Sequence, residues 1–109
     1  MLSFIENKKP ELQQLYEKYA VKSMYLFGSA STANFNDESD IDILIAFQEI
    51  PFEQYTNIFF AFHQALENLF GRKVNLITER SLTNPFFIQS IDETKQLLYA
   101  AWGKKVSAR

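Results

Sequence analysis

The sequence predicts an α/β domain, and three observations carry that prediction. Segments with apolar residues at helical spacing alternate with short apolar runs of strand length. Proline and glycine mark the borders: Pro10, Pro51 and Pro85 stand where helices should start, and Gly28 and Gly71 stand where elements should end. At 109 residues with 47% hydrophobic content, the chain is long enough for a true core and too short for two domains. A chain of this size buries roughly two thirds of its unfolded surface, so no disulfide or metal staple is required.

The elements follow in order. After Pro10, whose missing N–H costs nothing in a first turn, Leu12, Leu15, Tyr16 and Tyr19 recur at helical spacing. Residues 24–27 form a short apolar run ended by Gly28 and read as a buried strand. Residues 42–47, rich in Ile, read as a second strand. Pro51 opens a long helix with Phe52, Tyr55, Phe59, Phe62, Leu66 and Leu69/Phe70 on one stripe, and Gly71 is placed to end it. Residues 74–77 are a third strand. Asn84-Pro85 pairs a capping residue with a first-turn proline, so a helix starts there. Residues 97–99 fit either a last strand or the end of that helix; so short a run has no decisive period. The whole of 1–109 reads as one domain, with 103–109 a basic, frayed tail.

Composition excludes several functions. With no Cys there are no disulfides, thiolate zinc sites or Cys nucleophiles. A single His, His63, disfavours His-based metal sites and a Ser-His-Asp triad; on the long helix it reads as a packed or surface residue. The balance of 11 basic against 13 acidic residues lacks the basic surface that binding to a nucleic-acid backbone needs. No apolar run approaches the roughly 20 residues of a membrane-spanning helix, and Glu6 interrupts any leader-like start. A reducing cytoplasm is the expected setting. The 11 Phe residues exceed what a small core needs, and of the adjacent pair Phe86 and Phe87 one should face outward. Glu79-Arg80 reads as a surface pair.

One stretch carries chemistry. Leu26-Phe27-Gly28-Ser29 is followed, after nine residues, by Ser39-Asp40-Ile41-Asp42-Ile43-Leu44-Ile45. A glycine at a strand end lets the backbone approach a ligand closely, and N–H groups at a following helix start would suit phosphate. Asp40 and Asp42, two apart at a strand entry, point to one face; Ile41, Ile43 and Ile45 point to the other. Two carboxylates on one face repel each other unless a cation lies between them, and hard oxygen donors suit Mg²⁺ beside substrate phosphates. Strand, Gly-Ser turn, gap and Asp-x-Asp strand together read as a phosphate cradle facing a divalent metal.

This pattern resembles the G-S-x9-S/T-D-x-D signature of the polymerase-β-like nucleotidyltransferase superfamily. The short chain resembles its minimal nucleotidyltransferase branch. The resemblance continues through residues 71–80 and 84–91. It implies a small mixed β-sheet with helices packed on one face. It implies transfer of a nucleoside monophosphate from a Mg²⁺-bound triphosphate, ATP or another, to a hydroxyl of a protein or small acceptor. It further implies a two-metal site held by Asp40 and Asp42, with the nucleotide held by Gly28, Ser29 and Ser39. The implied partner is a HEPN-domain protein, with this chain as antitoxin.

Two departures stand out. The family's third carboxylate falls on the next strand, and this chain carries Asn75 at that catalytic position. An amide is a poor Mg²⁺ ligand and takes no proton from an attacking hydroxyl. Many relatives carry Arg and Gly just after Gly-Ser; here stand Ala30, Ser31, Thr32 and Ala33. The alternative reading is therefore a degenerate transferase that neutralises a partner by contact alone.

Overall fold

The computed structural model describes residues 3–28 and 40–101, and the side chains from residue 5 onward within them. The tail at 103–109 lies outside the described residues, as do Ser29 to Ser39.

A short helix α1 (Ser3–Glu6) precedes α2 (Lys9–Lys18). Pro10 sits in the first turn of α2, and Leu12 and Tyr16 are buried on its inner face. Ala20, in the left-handed region at φ 56°, turns the chain into β1 (Val21–Phe27). The strand begins three residues before the expected apolar run. Exposed Lys22 and buried Ser23 separate Val21 from that run, and only sheet pairing of Val21 and Ser23 with β2 shows the segment to be strand.

β2 (Ile41–Phe47) runs antiparallel to β1. α3 (Phe52–Phe70) then crosses over, as a parallel return requires, to β3 (Val74–Thr78), which runs parallel to β2. Gly71 ends α3 in the left-handed conformation at φ 67°, and its N–H donates to the Glu67 carbonyl. A 3-10 turn at Glu79–Ser81 leads towards α4 (Pro85–Thr94). The Asn84 side chain caps α4 by accepting from the N–H groups of Phe86 and Phe87. Residues 97–99 are strand: β4 (Gln96–Ala100) pairs antiparallel with β1. The sheet order is β3-β2-β1-β4, a mixed sheet.

The pleat sorts the side chains. Met24, Leu26, Ile41, Ile43, Ile45 and Val74 form the main core with Leu12 and Tyr16 of α2 and Phe62 and Leu66 of α3. Each fully buried large side chain contributes about 1.5–3 kcal/mol. So α2 and α3 cover one face, as expected. The other face carries a smaller cluster of Phe27, Leu44 and Ile91, because β1 and β2 are apolar on both sides there and α4 supplies the cover. The stripe on α3 is shorter than its periodicity implied. Phe52 is 87% exposed, because it lies in the first turn, before the helix meets the sheet. Phe47 meets Tyr55 and Phe62 edge to face, and the Arg80 guanidinium lies over the Tyr55 ring at 5.0 Å. Of the adjacent pair, Phe86 faces outward at 82% exposure, while Phe87 sets its edge against Phe27.

Candidate active site

The site gathers where β1 ends and where β2 and β3 begin. Register brings Phe27 opposite Asp42 on one side and Asn75 beside Asp42 on the other. Asp40 lies one residue before β2, exposed; Asp42 is half-buried inside the strand. The period-two expectation therefore holds: Ile41, Ile43 and Ile45 are fully buried in the main core, away from the carboxylates. The Ile41 N–H donates to the Lys73 carbonyl at 3.1 Å, so the β2–β3 ladder is closed at the site itself.

Asn75 joins the two carboxylates. Its Nδ2 donates to Asp42 Oδ1 at 2.8 Å and reaches Asp40 Oδ2 at 3.5 Å. Only the amide N–H₂ end can face two carboxylate oxygens, so the orientation of the amide follows from the chemistry. Among the described residues no third Asp, Glu or His joins the pair.

Gly28 closes the opposite side. It takes φ +66°, where a side chain is strained, and a Cβ built there would stand 2.5 Å from Asp42 Oδ2. The absent side chain is what lets the strand end lie against the carboxylate. The Gly28 N–H donates to Thr94 Oγ1 at 3.2 Å, and that hydroxyl donates to the Ser90 carbonyl at 3.3 Å. The end of α4 thus anchors the glycine. Thr94 carries no motif, and no sequence signal links it to a residue 66 positions away.

Of the expected site residues, Gly28, Asp40, Asp42 and Asn75 come together. Ser29 and Ser39 lie outside the described residues, and so do Ala30, Ser31, Thr32 and Ala33. An open groove of about 550 Å³ starts at Asp42 and Asn75 and passes Phe27, Phe87, Lys73 and His63. His63 is occupied with structure: its Nε2 donates to the Val74 carbonyl at 2.7 Å, and Glu67 accepts from the Val74 N–H at 3.0 Å. Together they satisfy outward backbone groups of the edge strand β3.

The donor set fits a hard divalent cation. Two carboxylates share one face at the sheet end, and their hard oxygens are the donors such an ion prefers.

Comparison with known proteins identifies the family. The family model described as "Polymerase beta, Nucleotidyltransferase" matches residues 10–101. A protein of Methanocaldococcus jannaschii, named as a candidate protein adenylyltransferase, is 40% identical over 79 residues, covering 72% of this chain and 78% of its own. The protein adenylyltransferase MntA of Thermococcus cleftensis is 34% identical over 70 residues, covering 64% and 68%. Among solved structures, a protein named as a candidate minimal nucleotidyltransferase superposes with a TM-score of 0.72 at 24% identity, covering 89% of this chain and 95% of that one. An AMPylated HEPN toxin of Shewanella oneidensis in complex with its MNT antitoxin gives 0.61 at 19% identity, covering 92% and 76%. The chain belongs to the polymerase β nucleotidyltransferase family.

Proposed function

We propose that this protein transfers AMP from ATP to a hydroxyl of a protein acceptor, and that it acts as the antitoxin of a HEPN-domain partner. The observation that carries the reading is the convergence of Asp40, Asp42 and Asn75 beside a glycine that only glycine can be. The relatives named as protein adenylyltransferases, and the similar folds seen in toxin–antitoxin complexes, support the choice of nucleotide and partner. No described helix is long and apolar enough to cross a membrane, and a cytoplasmic setting fits a chain without Cys.

In the reaction the acceptor oxygen forms a bond to the α-phosphorus. The bond from that phosphorus to the bridging oxygen breaks, pyrophosphate leaves, and the hydroxyl proton passes to solvent or partner. Asp40 and Asp42 would hold Mg²⁺, which when bound neutralises phosphate charge and polarises the reacting oxygens. Gly28 keeps the strand end low so that phosphates can approach the carboxylates. Asn75 holds Asp42 in place. Ser29 and Ser39 are assigned to the phosphates by motif position.

The test is labelling. Incubation with ATP labelled at the α-phosphate, Mg²⁺ and the HEPN partner should label the partner, and Asp42→Ala should abolish labelling. An unlabelled partner in the presence of the native chain overturns the reading.

Asn75 favours one other reading. With an amide in place of a third carboxylate, the chain would neutralise its partner by contact alone. A folded double variant, Asp40→Ala with Asp42→Ala, would then still neutralise; loss of neutralisation counts against it.

A further inference from the structure

We propose that the site takes a single divalent cation with its nucleotide, and that the Asn75 amide stands where a second cation would have to bind. The inference rests on the nucleotide-transfer reading above and deepens it.

The two oxygens of Asp42 face different surroundings. Oδ1 accepts from Asn75 Nδ2 at 2.8 Å, whereas Oδ2 is the atom against which a Cβ on Gly28 would collide. The same Nδ2 lies 3.5 Å from Asp40 Oδ2. The N–H₂ group therefore sits between the two carboxylates on their β3 side. It relieves their mutual repulsion with two partly positive hydrogens, as a cation would, but adds no net charge.

A cation arriving from the β3 side meets N–H hydrogens rather than lone pairs. Turning the amide to offer its carbonyl would break both hydrogen bonds and supply a neutral oxygen in return. Paired ions sit about 3.5–4 Å apart, and both would have to draw their protein oxygens from Asp40 and Asp42, because no third acid or His joins them among the described residues. His63 and Glu67 share the groove but hold the Val74 backbone. One ion completed by triphosphate oxygens suits the donor set; two do not.

The measurement is equilibrium dialysis of Mn²⁺, raised to the millimolar range, against the chain saturated with a non-hydrolysable ATP analogue. Bound metal and bound analogue are both counted. The native chain should hold one Mn²⁺ per nucleotide, and Asn75→Asp should hold two. Two Mn²⁺ in the native chain overturn the inference while leaving the nucleotide site standing. A folded Asn75→Asp that still holds one also overturns it. Circular dichroism establishes that this variant is folded; if it is not, the native count alone decides. A native chain that retains no analogue overturns both this inference and the nucleotide-transfer reading.

Discussion

Asn75 and Asp42 are direct register partners on the parallel strands β3 and β2, and the amide of the first donates to the carboxylate of the second at 2.8 Å. The pairing places a neutral donor at the centre of an acidic site. A hydrogen bond to a charged group contributes about 1.5–3 kcal/mol, so Asn75 steadies Asp42 before any ligand arrives. That stability and the capacity for metal pull in opposite directions at one residue.

Replacing Asn75 with Asp should expose this opposition. Without divalent cation the variant loses a donor and gains a third negative charge, and should unfold about 1–2 kcal/mol more easily than the native chain. Addition of Mn²⁺ and ATP should restore the loss. Thermal unfolding with and without Mn²⁺ checks both halves, and a variant as stable as the native chain without metal would refute the role of the hydrogen bond.

Gly28→Ala should be disruptive out of proportion to its size. The left-handed φ alone costs about 1–2 kcal/mol, and the new Cβ must push Asp42 Oδ2 aside. Nucleotide-dependent stabilisation should disappear along with the carboxylate position. Gly71→Ala is the control: it has a similar φ of +67° but nothing within 4 Å of its Cβ, so it should lose stability only.

Asn84→Ala removes the acceptor for the Phe86 and Phe87 N–H groups. The expected loss is about 1 kcal/mol, and Asn84→Ser should recover most of it. Because α4 ends in the Thr94 hydroxyl that anchors Gly28, the Ala variant should also bind nucleotide more weakly. Denaturant unfolding and a nucleotide titration on the same samples separate the two effects.

Alkaline stability should depend on Tyr16. Burial, and then the nearby Tyr99 phenol, raise its pKa well above the usual 10.0. The folded state thus keeps the proton that the unfolded chain would release. The resulting stability is fully present below about pH 10 and is lost progressively as pH rises above it. Tyr16→Phe should keep the stack on Tyr99 and flatten that decline. Unfolding curves collected between pH 8 and pH 11 test it; parallel declines in the two proteins would refute the assignment.

Much of this molecule is legible along the chain. Period-two alternation put Asp40 and Asp42 on one face and the isoleucines on the other, and local sterics put the helix ends at Pro10, Gly71 and Asn84-Pro85. These are short-range effects, decided within a turn or a pleat. Other features depend on partners far away in sequence. Val21 and Ser23 are strand only because β2 pairs with β1, with Lys22 at the irregularity between them. Residues 96–100 are strand, not helix, because the outer edge of β1 offers hydrogen bonds. Phe52 has the right spacing for the core but lies beyond the sheet it would need to reach.

The sequence by itself determined the fold class, most elements and the candidate residues of the site, since the spacing of Gly28, Asp40 and Asp42 and the family pattern around them are local or inherited facts. Only the tertiary structure decided how Asn75 is used. Parallel pairing of β2 with β3 brings together residues 33 positions apart, and the anchoring of Gly28 by Thr94 spans 66. Contacts at that range arise from strand register and helix docking, which are set by burial of the whole core and leave no mark in a short stretch of sequence.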